Sequence, residues 1–376
     1  MLHLLLNLDR SQYEPVLFCH ADHGLARLRS GAEKHDIPVR IVPRLQGRPA
    51  VSLTAARIRE VVDAITGAPA LLRVLRSERP DIFHAHLNWP LACRWGLLTA
   101  AAAHVPAITA TVHLFPPLPN TSVSRPQYRV LSRVVRRFMT VSAGMARRLE
   151  TELSVPRHRI RVVRNAVPVP APVEPSVEAA TRVAIAGPGN PDSPIVLTVA
   201  RLTPQKGLVY LLDAAAAIPE AIFAIAGDGP NRDALQKQAG SLGIARRVRF
   251  LGNREDVPAL LAACNIFVLP SLWEGLPLAV LEAMAAGKPI ISTRIEGIAE
   301  VLGEGECGIL VPPGNSTALA EVIANVLRDA SLANRLASAA RARAAIDFSP
   351  QRMAAQVGAV YEEMLEEPRA RRQLAS

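Results

Sequence analysis

Two glutamates eight positions apart, Glu274 and Glu282, sit in the run Pro270-Ser271-Leu272-Trp273-Glu274-Gly275-Leu276-Pro277-Leu278 and the apolar stretch that follows it to Gly287. Proline suits a first helical turn, and glycine suits the position just past a last one. A helix is therefore expected from about Pro277 to Gly287. Glu274 then lies in the loop before it, and Glu282 about one and a half turns into it. The amides of Gly275, Leu276 and Leu278 at the helix start suit an anion. A carboxylate can accept from two vicinal hydroxyls at once. Two glutamates flanking an anion site thus suit a diphosphate with hydroxyl-bearing groups at both ends. The plainer alternative makes Glu274 a helix-terminal charge and Glu282 part of a solvated face. Leu281, Ala283 and Met284 around Glu282 weigh against it.

A second cluster is Ile195-Val196-Leu197-Thr198-Val199-Ala200-Arg201-Leu202-Thr203-Pro204-Gln205-Lys206-Gly207. It reads as a strand ending near Arg201, with Lys206 just before the next helix. Two cations at that edge would neutralise a diphosphate leaving group, and arginine can do so bidentately. Lys206 is one of only four lysines, so it stands out from an arginine-rich background, although a plain surface loop is the alternative. Gly227-Asp228-Gly229-Pro230 is a tight turn and not a dinucleotide fingerprint, which needs a third glycine. Gly303, Gly305 and Gly308 have the fingerprint spacing but follow a helix and open a strand, the wrong context. His84, His86 and His113 fall at strand ends, and His84 and His86 share a face if the strand continues. They leave open a structural role, a cleft role and, least favoured, metal ligation. No metal site is assigned, since no cysteine or second carboxylate lies at ligand spacing. A D-x-D motif is absent.

These residues need a scaffold. Short Val- and Ile-rich runs recur at Ile195–Ala200, Ala221–Ala226, Val248–Leu251, Ile266–Leu269, Pro289–Ser292 and Gly308–Val311, each followed by a helix-length segment. Strands without polar alternation, separated by helices, predict a parallel sheet covered on both faces. Ligands of such doubly wound domains lie at the C-terminal strand ends. The N-terminal half repeats the rhythm at Pro15–Cys19, Val39–Val42, Asp81–Ala85, Ala107–Val112, Phe138–Ser142 and Ile160–Arg164. Helices are expected between them, at Thr54–Ile65, Pro69–Arg76 and Trp89–Ala102 for example. The prediction is an α/β protein with two Rossmann-like domains: residues 1–168, a proline-rich linker 169–194, residues 195–350, and a C-terminal helix 351–376. On that helix Met353, Val357, Val360 and Met364 share one face. The first element, Leu2–Leu8, reads as a helix, so the first strand of the N-terminal domain is expected to be missing.

Composition narrows the class. The 376 residues are 49% apolar and 20% charged, which excludes a disordered tail. Cys19, Cys93, Cys264 and Cys307 are far apart, which excludes a zinc ribbon or a disulfide scaffold. Aromatic residues make up 4%, too few for base-stacking platforms, and no nucleic-acid partner is expected. Residues 1–170 carry 24 Lys+Arg against 11 Asp+Glu; the rest carry 19 against 22. The basic half suits an anionic partner or membrane surface, or simply reflects a basic background. The opening has no basic n-region and reaches Asp9 early, so no secretory signal is expected. A cytoplasmic location, peripheral at the inner membrane face, follows as an expectation.

In this order the clusters resemble the retaining glycosyltransferase family 4, which has the GT-B fold of two domains facing a cleft. Glu274 and Glu282 match its E-x7-E motif, and Arg201 and Lys206 its R-L-x-x-x-K-G loop. Smaller matches are Phe250-Leu251-Gly252, Gly287-Lys288-Pro289, Asp81-Ile82-Phe83-His84-Ala85-His86, Thr111-Val112-His113 and Asn165-Ala166-Val167. The resemblance implies a nucleotide-sugar donor, a UDP-sugar favoured, and a glycan or lipid-linked acceptor. Arg201 and Lys206 would hold the diphosphate and Glu282 the ribose hydroxyls. Glu274 would bind the transferred sugar, helped by the amides of Gly275, Leu276 and Leu278. His113 would face that sugar from the N-terminal domain, and the C-terminal helix would dock on the first domain. It further implies no cofactor, no metal, and a front-face displacement that retains configuration. Where many members carry Gly-Gly, this chain has Glu296-Gly297. Two other readings stay open: a non-catalytic relative that only binds nucleotide sugar or a partner, and a nicotinamide enzyme on a similar fold.

Overall fold

The computed structural model describes residues 1–20, 25–43, 45, 53–116, 121–187 and 192–373. The chain divides into two compact units. One comprises Met1–Arg164 with Pro350–Ser376, the other Asn165–Ser349.

In the first unit helices α1 (Leu2–Asn7), α2 (Ala26–Glu33), α3 (Leu53–Glu78), α4 (Arg94–Ala102), α5 (Thr121–Val134) and α6 (Ala143–Leu153) alternate with six strands. These are β1 (Leu17–Cys19), β2 (Val39–Ile41), β3 (Ile82–Leu87), β4 (Ala107–Val112), β5 (Arg137–Thr140) and β6 (Ile160–Val162). Strands β3 to β6 form one parallel sheet in sequence order, while β1 and β2 pair only with each other. The single sheet expected over this half is therefore two sheets among the described residues. Strand backbones need a hydrogen-bonded neighbour, and no described strand bridges β1 to β3. The helices expected at Thr54–Ile65 and Pro69–Arg76 are one helix, with Pro69 inside it. Proline removes one donor there without ending the helix.

The last helix, α15 (Pro350–Gln373), belongs to this unit. Its Met353, Val357, Val360 and Met364 pack with Leu4, Leu8, Met139 and Val163. Arg137, buried on β5, donates to Glu363 of α15 at 2.9 Å, and Arg161 of β6 bonds the same carboxylate. The apolar stripe thus has its docking surface, and the ion pairs set its register.

The second unit contains helices α7 (Pro175–Ala186), α8 (Leu208–Ala216), α9 (Arg232–Ser241), α10 (Val257–Ala263), α11 (Leu278–Ala285), α12 (Glu296–Val301), α13 (Ser316–Arg328) and α14 (Ala330–Asp347). Its strands are β7 (Ile195–Val199), β8 (Ile222–Ala226), β9 (Val248–Gly252), β10 (Ile266–Leu269), β11 (Ile290–Thr293) and β12 (Ile309–Val311). They lie in the order β12-β11-β10-β7-β8-β9, all parallel. Burial on both faces explains why β8 and β10 read as unbroken apolar runs. Phe223 and Phe267, wholly buried on β8 and β10, contribute about 1.5–3 kcal/mol each.

The proline-rich stretch expected as a linker is not one throughout. Pro175 starts α7, where its fixed φ suits a first helical turn. Ile185 and Ala186 are buried, and Arg182 donates to the carbonyls of Ala263 and Ser193 at 3.0 and 2.9 Å. Residues 188–191 of the stretch, and 374–376 of the expected C-terminal helix, lie outside the described residues. Among the described residues no helix is long and apolar enough to cross a membrane.

Candidate active site

Strand order reverses between β7 and β10, which opens a crevice at their C-terminal ends. Three buried hydroxyls staple the strand ends around it. Thr198 donates to the Val268 carbonyl at 2.7 Å, Ser292 to that of Leu269 at 2.5 Å, and Thr293 to that of Ser271 at 2.5 Å. After β7 the chain makes a short 3-10 turn, Pro204–Lys206, that ends at Gly207 with φ +62°. A Cβ at Gly207 would sit 2.1 Å from the Pro270 carbonyl oxygen, so only glycine lets the two loops meet.

That contact brings Lys206 and Glu274 together. Lys206 Nζ lies 2.5 Å from Glu274 Oε1, and their side chains are only 16% and 6% exposed. Ser271 Oγ donates to the same oxygen at 2.7 Å. Gln205 Nε2 donates to Glu274 Oε2 at 3.2 Å and to the Trp273 carbonyl at 2.9 Å. A carboxylate has about four lone-pair sites, so three donors fix it and leave room for one ligand hydroxyl. Lys206 spends one of its N–H groups on Glu274, which leaves others for an anion.

Sequence reasoning missed Gln205 and Ser271 as partners of Glu274. Ser271-x-x-Glu274 is the spacing of a local side-chain pair, and that was the available signal. It also passed over the bond from Asn165 Nδ2 to the Leu276 carbonyl at 3.0 Å. The helix after the loop is α11, with Pro277 as its N-cap residue and Gly287 at φ +65° just past its end. The amides of Gly275, Leu276 and Leu278 donate to no acceptor among the described residues. Helix starts leave such donors open, and a bound anion is one way to satisfy them. Glu282 lies on α11, partly buried, one turn after Leu278.

Arg201 is exposed at the end of β7 and lines a recess of about 450 Å³. Ala200, Gly227, Asp228, Asn253, Arg254 and Val257 complete most of its wall. It lies on the β8–β9 side of β7, whereas Lys206 and Glu274 lie on the β10 side. Arg201 is the only residue expected in the site that lines it. His113 belongs to the first unit, directly after β4. Glu296, at the start of α12, is exposed. Among the described residues, no group of three His, Cys, Asp or Glu side chains is placed to hold a metal ion.

Gly297 is the tightest glycine in the second unit. A Cβ there would lie 1.9 Å from the Gly275 carbonyl oxygen. Gly297→Ala should push the Glu274–Leu276 loop out of place and cost about 1–3 kcal/mol. Urea unfolding measures this, and an unchanged midpoint would show that the loop yields freely.

Fold and site together define a class: two parallel α/β units in one chain, one with a cation–carboxylate cluster and open amides at its strand-order reversal. Comparison with known proteins narrows the class. The family described as Glycosyltransferase Family 4 matches residues 1–169, and that described as Glycosyl transferases group 1 matches residues 185–343. The lipopolysaccharide core biosynthesis glycosyltransferase LpsE of Rhizobium meliloti is 39% identical over 146 residues, or 39% of this chain. That match spans only 43% of LpsE. Glycogen synthase of Mycobacterium tuberculosis is 33% identical over 304 residues, which cover 76% of this chain and 69% of the relative. HepE of Anabaena, solved in complex with UDP-glucose, superposes with a TM-score of 0.79 at 22% identity, covering 96% of this chain and 95% of HepE. The likeness to HepE shows the fold. The chain belongs to the glycosyltransferases, with a family-4-type first half and a group-1-type second half.

Proposed function

We propose that this protein transfers a sugar from a nucleoside-diphosphate sugar, a UDP-sugar favoured, to a glycan or lipid-linked acceptor in cell-surface polysaccharide or glycolipid assembly, with retention of configuration. The observation that carries the reading is the cluster at the ends of β7 and β10. There one carboxylate is held by Lys206, Ser271 and Gln205, beside open helix-start amides.

In this reading Lys206 and Arg201 neutralise the diphosphate as it leaves, the charge that grows most in the transition state. Glu282 accepts from the ribose hydroxyls. Glu274, fixed by its three donors, accepts from a hydroxyl of the transferred sugar, and the amides of Gly275, Leu276 and Leu278 meet the anion. His113 contacts the sugar from the first unit. The acceptor oxygen bonds the anomeric carbon on the face the diphosphate leaves, and its proton passes to a leaving phosphate oxygen. The cations here are side chains, so the reading assigns no metal and no cofactor. The relatives support the donor class: HepE was solved with UDP-glucose, and LpsE is named for lipopolysaccharide core biosynthesis. The basic first unit suits an anionic membrane surface that presents a lipid-linked acceptor.

Thermal unfolding with UDP, GDP, ADP or NAD tests the donor class. A ligand at 100 times its dissociation constant adds about 2.7 kcal/mol of stability. One nucleoside diphosphate should raise the melting temperature, and Glu282→Ala should weaken its binding about tenfold to a hundredfold, as befits a lost charged hydrogen bond. A shift with NAD alone, or with none of the four, would overturn the reading.

A further inference from the structure

Three histidines of the first unit form a stack that the donor chemistry of the second unit leaves unexplained. The ring centroids of His84 and His86, on β3, are 4.3 Å apart, and those of His86 and His113 are 5.2 Å apart at 14° between planes. His86 Nδ1 and His113 Nε2 are 2.8 Å apart, so one donates to the other. Behind them His84 is held at both nitrogens, by Tyr361 Oη of α15 and by Thr111 Oγ1 of β4, each at 2.7 Å.

The main chain at His113 is already anchored, because its N–H donates to the Leu87 carbonyl at 2.8 Å. The plane and tautomer of the ring are a separate matter, and His86 bears on both. The outer torsion of a histidine is broad and roughly two-fold, and its neutral tautomers interconvert unless a partner selects one. We propose that His86 is a positioning residue for His113. Their hydrogen bond sets the plane and the tautomer of the His113 ring, and His84, Thr111 and Tyr361 hold His86 in place from behind. The inference rests on the reading that His113 touches the transferred sugar.

The physics is local. Two neutral imidazoles that share one bridging proton are coupled, so the tautomer of one dictates that of the other. His86 cannot swing away, because the His84 ring covers its back and is itself satisfied at both ends. The C-terminal helix thus acts on His113 through Tyr361, His84 and His86. That would give a long-range reason for α15 to return to the first unit.

The test uses the full chain with its histidines labelled with nitrogen-15, the His113 signals being assigned by their loss in His113→Gln. In the wild type the two His113 nitrogens should show one well-separated NH and N pair, the mark of a single tautomer. His86→Phe keeps a stacked ring and removes the hydrogen bond. It should move both His113 signals toward averaged values and lower kcat for UDP release from UDP-glucose about tenfold, with the donor KM within about twofold. His86→Asn restores a partner at the Nδ1 position and should recover most of both. Averaged His113 signals in the wild type would overturn the proposal even if no variant folds. So would unchanged signals in His86→Phe. A wild-type rate in His113→Ala would instead sink the assignment of His113 to the sugar, whatever the spectra show.

Discussion

Replacing Lys206 by alanine should, on the proposed function, lower the rate of nucleoside-diphosphate release from the sugar donor about a hundredfold to a thousandfold, the usual effect of removing one preorganised charge-stabilising group. It should also destabilise the second unit. The Lys206 and Glu274 side chains are 16% and 6% exposed, so alanine strands a largely buried carboxylate. Breaking a buried pair from one side costs about 3–5 kcal/mol, and the donors Ser271 and Gln205 place this case at the low end. The two effects separate in the double variant. Adding Glu274→Gln removes the stranded charge, so stability should return while the rate stays low. Urea unfolding and nucleoside-diphosphate release read the two quantities. A Lys206→Ala rate within threefold of wild type would remove Lys206 from the diphosphate. Equal stability losses in the single and double variants would mean that the pair is not what holds the loops.

Acidification should destabilise the first unit well above the carboxylate range. His84 is pushed down to about 3, first by burial and then by the neighbouring His113. His86 lies well below its ordinary value, by burial first and then through His84 and His113. Both residues are half-buried. The unfolded chain takes up protons on both as pH falls through about 6.5, while folded His84 stays neutral until about 3. In that window the unfolded state binds more protons, so stability falls with falling pH. The slope approaches about 1.4 kcal/mol per pH unit for each histidine once the unfolded ring is charged, and averages roughly 1 between about pH 7 and pH 5 because that ring is only partly charged near 6.5. Asp9, Asp256 and Glu363 have lowered values and act only at lower pH. Urea unfolding between about pH 7 and pH 5 lies above the carboxylates, although the Met1 amine and His3, both lowered by burial, add to the same slope. His86→Asn should remove one histidine's share of the slope, roughly 1 kcal/mol per pH unit, and a flat profile in the wild type would contradict the buried neutral stack.

Much of this was legible because it is local. Strands β8 and β10 announce themselves as apolar runs between turns, since parallel strands bury both faces. Helix α11 follows from Pro277 and Gly287, whose backbone limits punctuate a helix whatever surrounds it. The stripe of Met353, Val357, Val360 and Met364 shows that α15 needs a partner. Local pattern also misled where it was weak. Prolines around residues 169–194 read as a linker, yet burial of Ile185 and Ala186 makes α7 part of the second unit. Pro69 read as a boundary inside what is one helix.

Chain order alone dictates which chemical groups the protein carries and the elements they ride on: Glu274 before a helix, Lys206 after a strand, His113 just past another. Which of them meet depends on how the sheets and helices pack. Lys206 and Glu274 are 68 residues apart and pair because β7 and β10 are neighbours where the strand order reverses. Tyr361 reaches His84 across 277 residues because α15 docks on the first unit. Neither contact has a local signature, because a hydrogen bond depends on distance in space while propensity and periodicity are properties of neighbours along the chain.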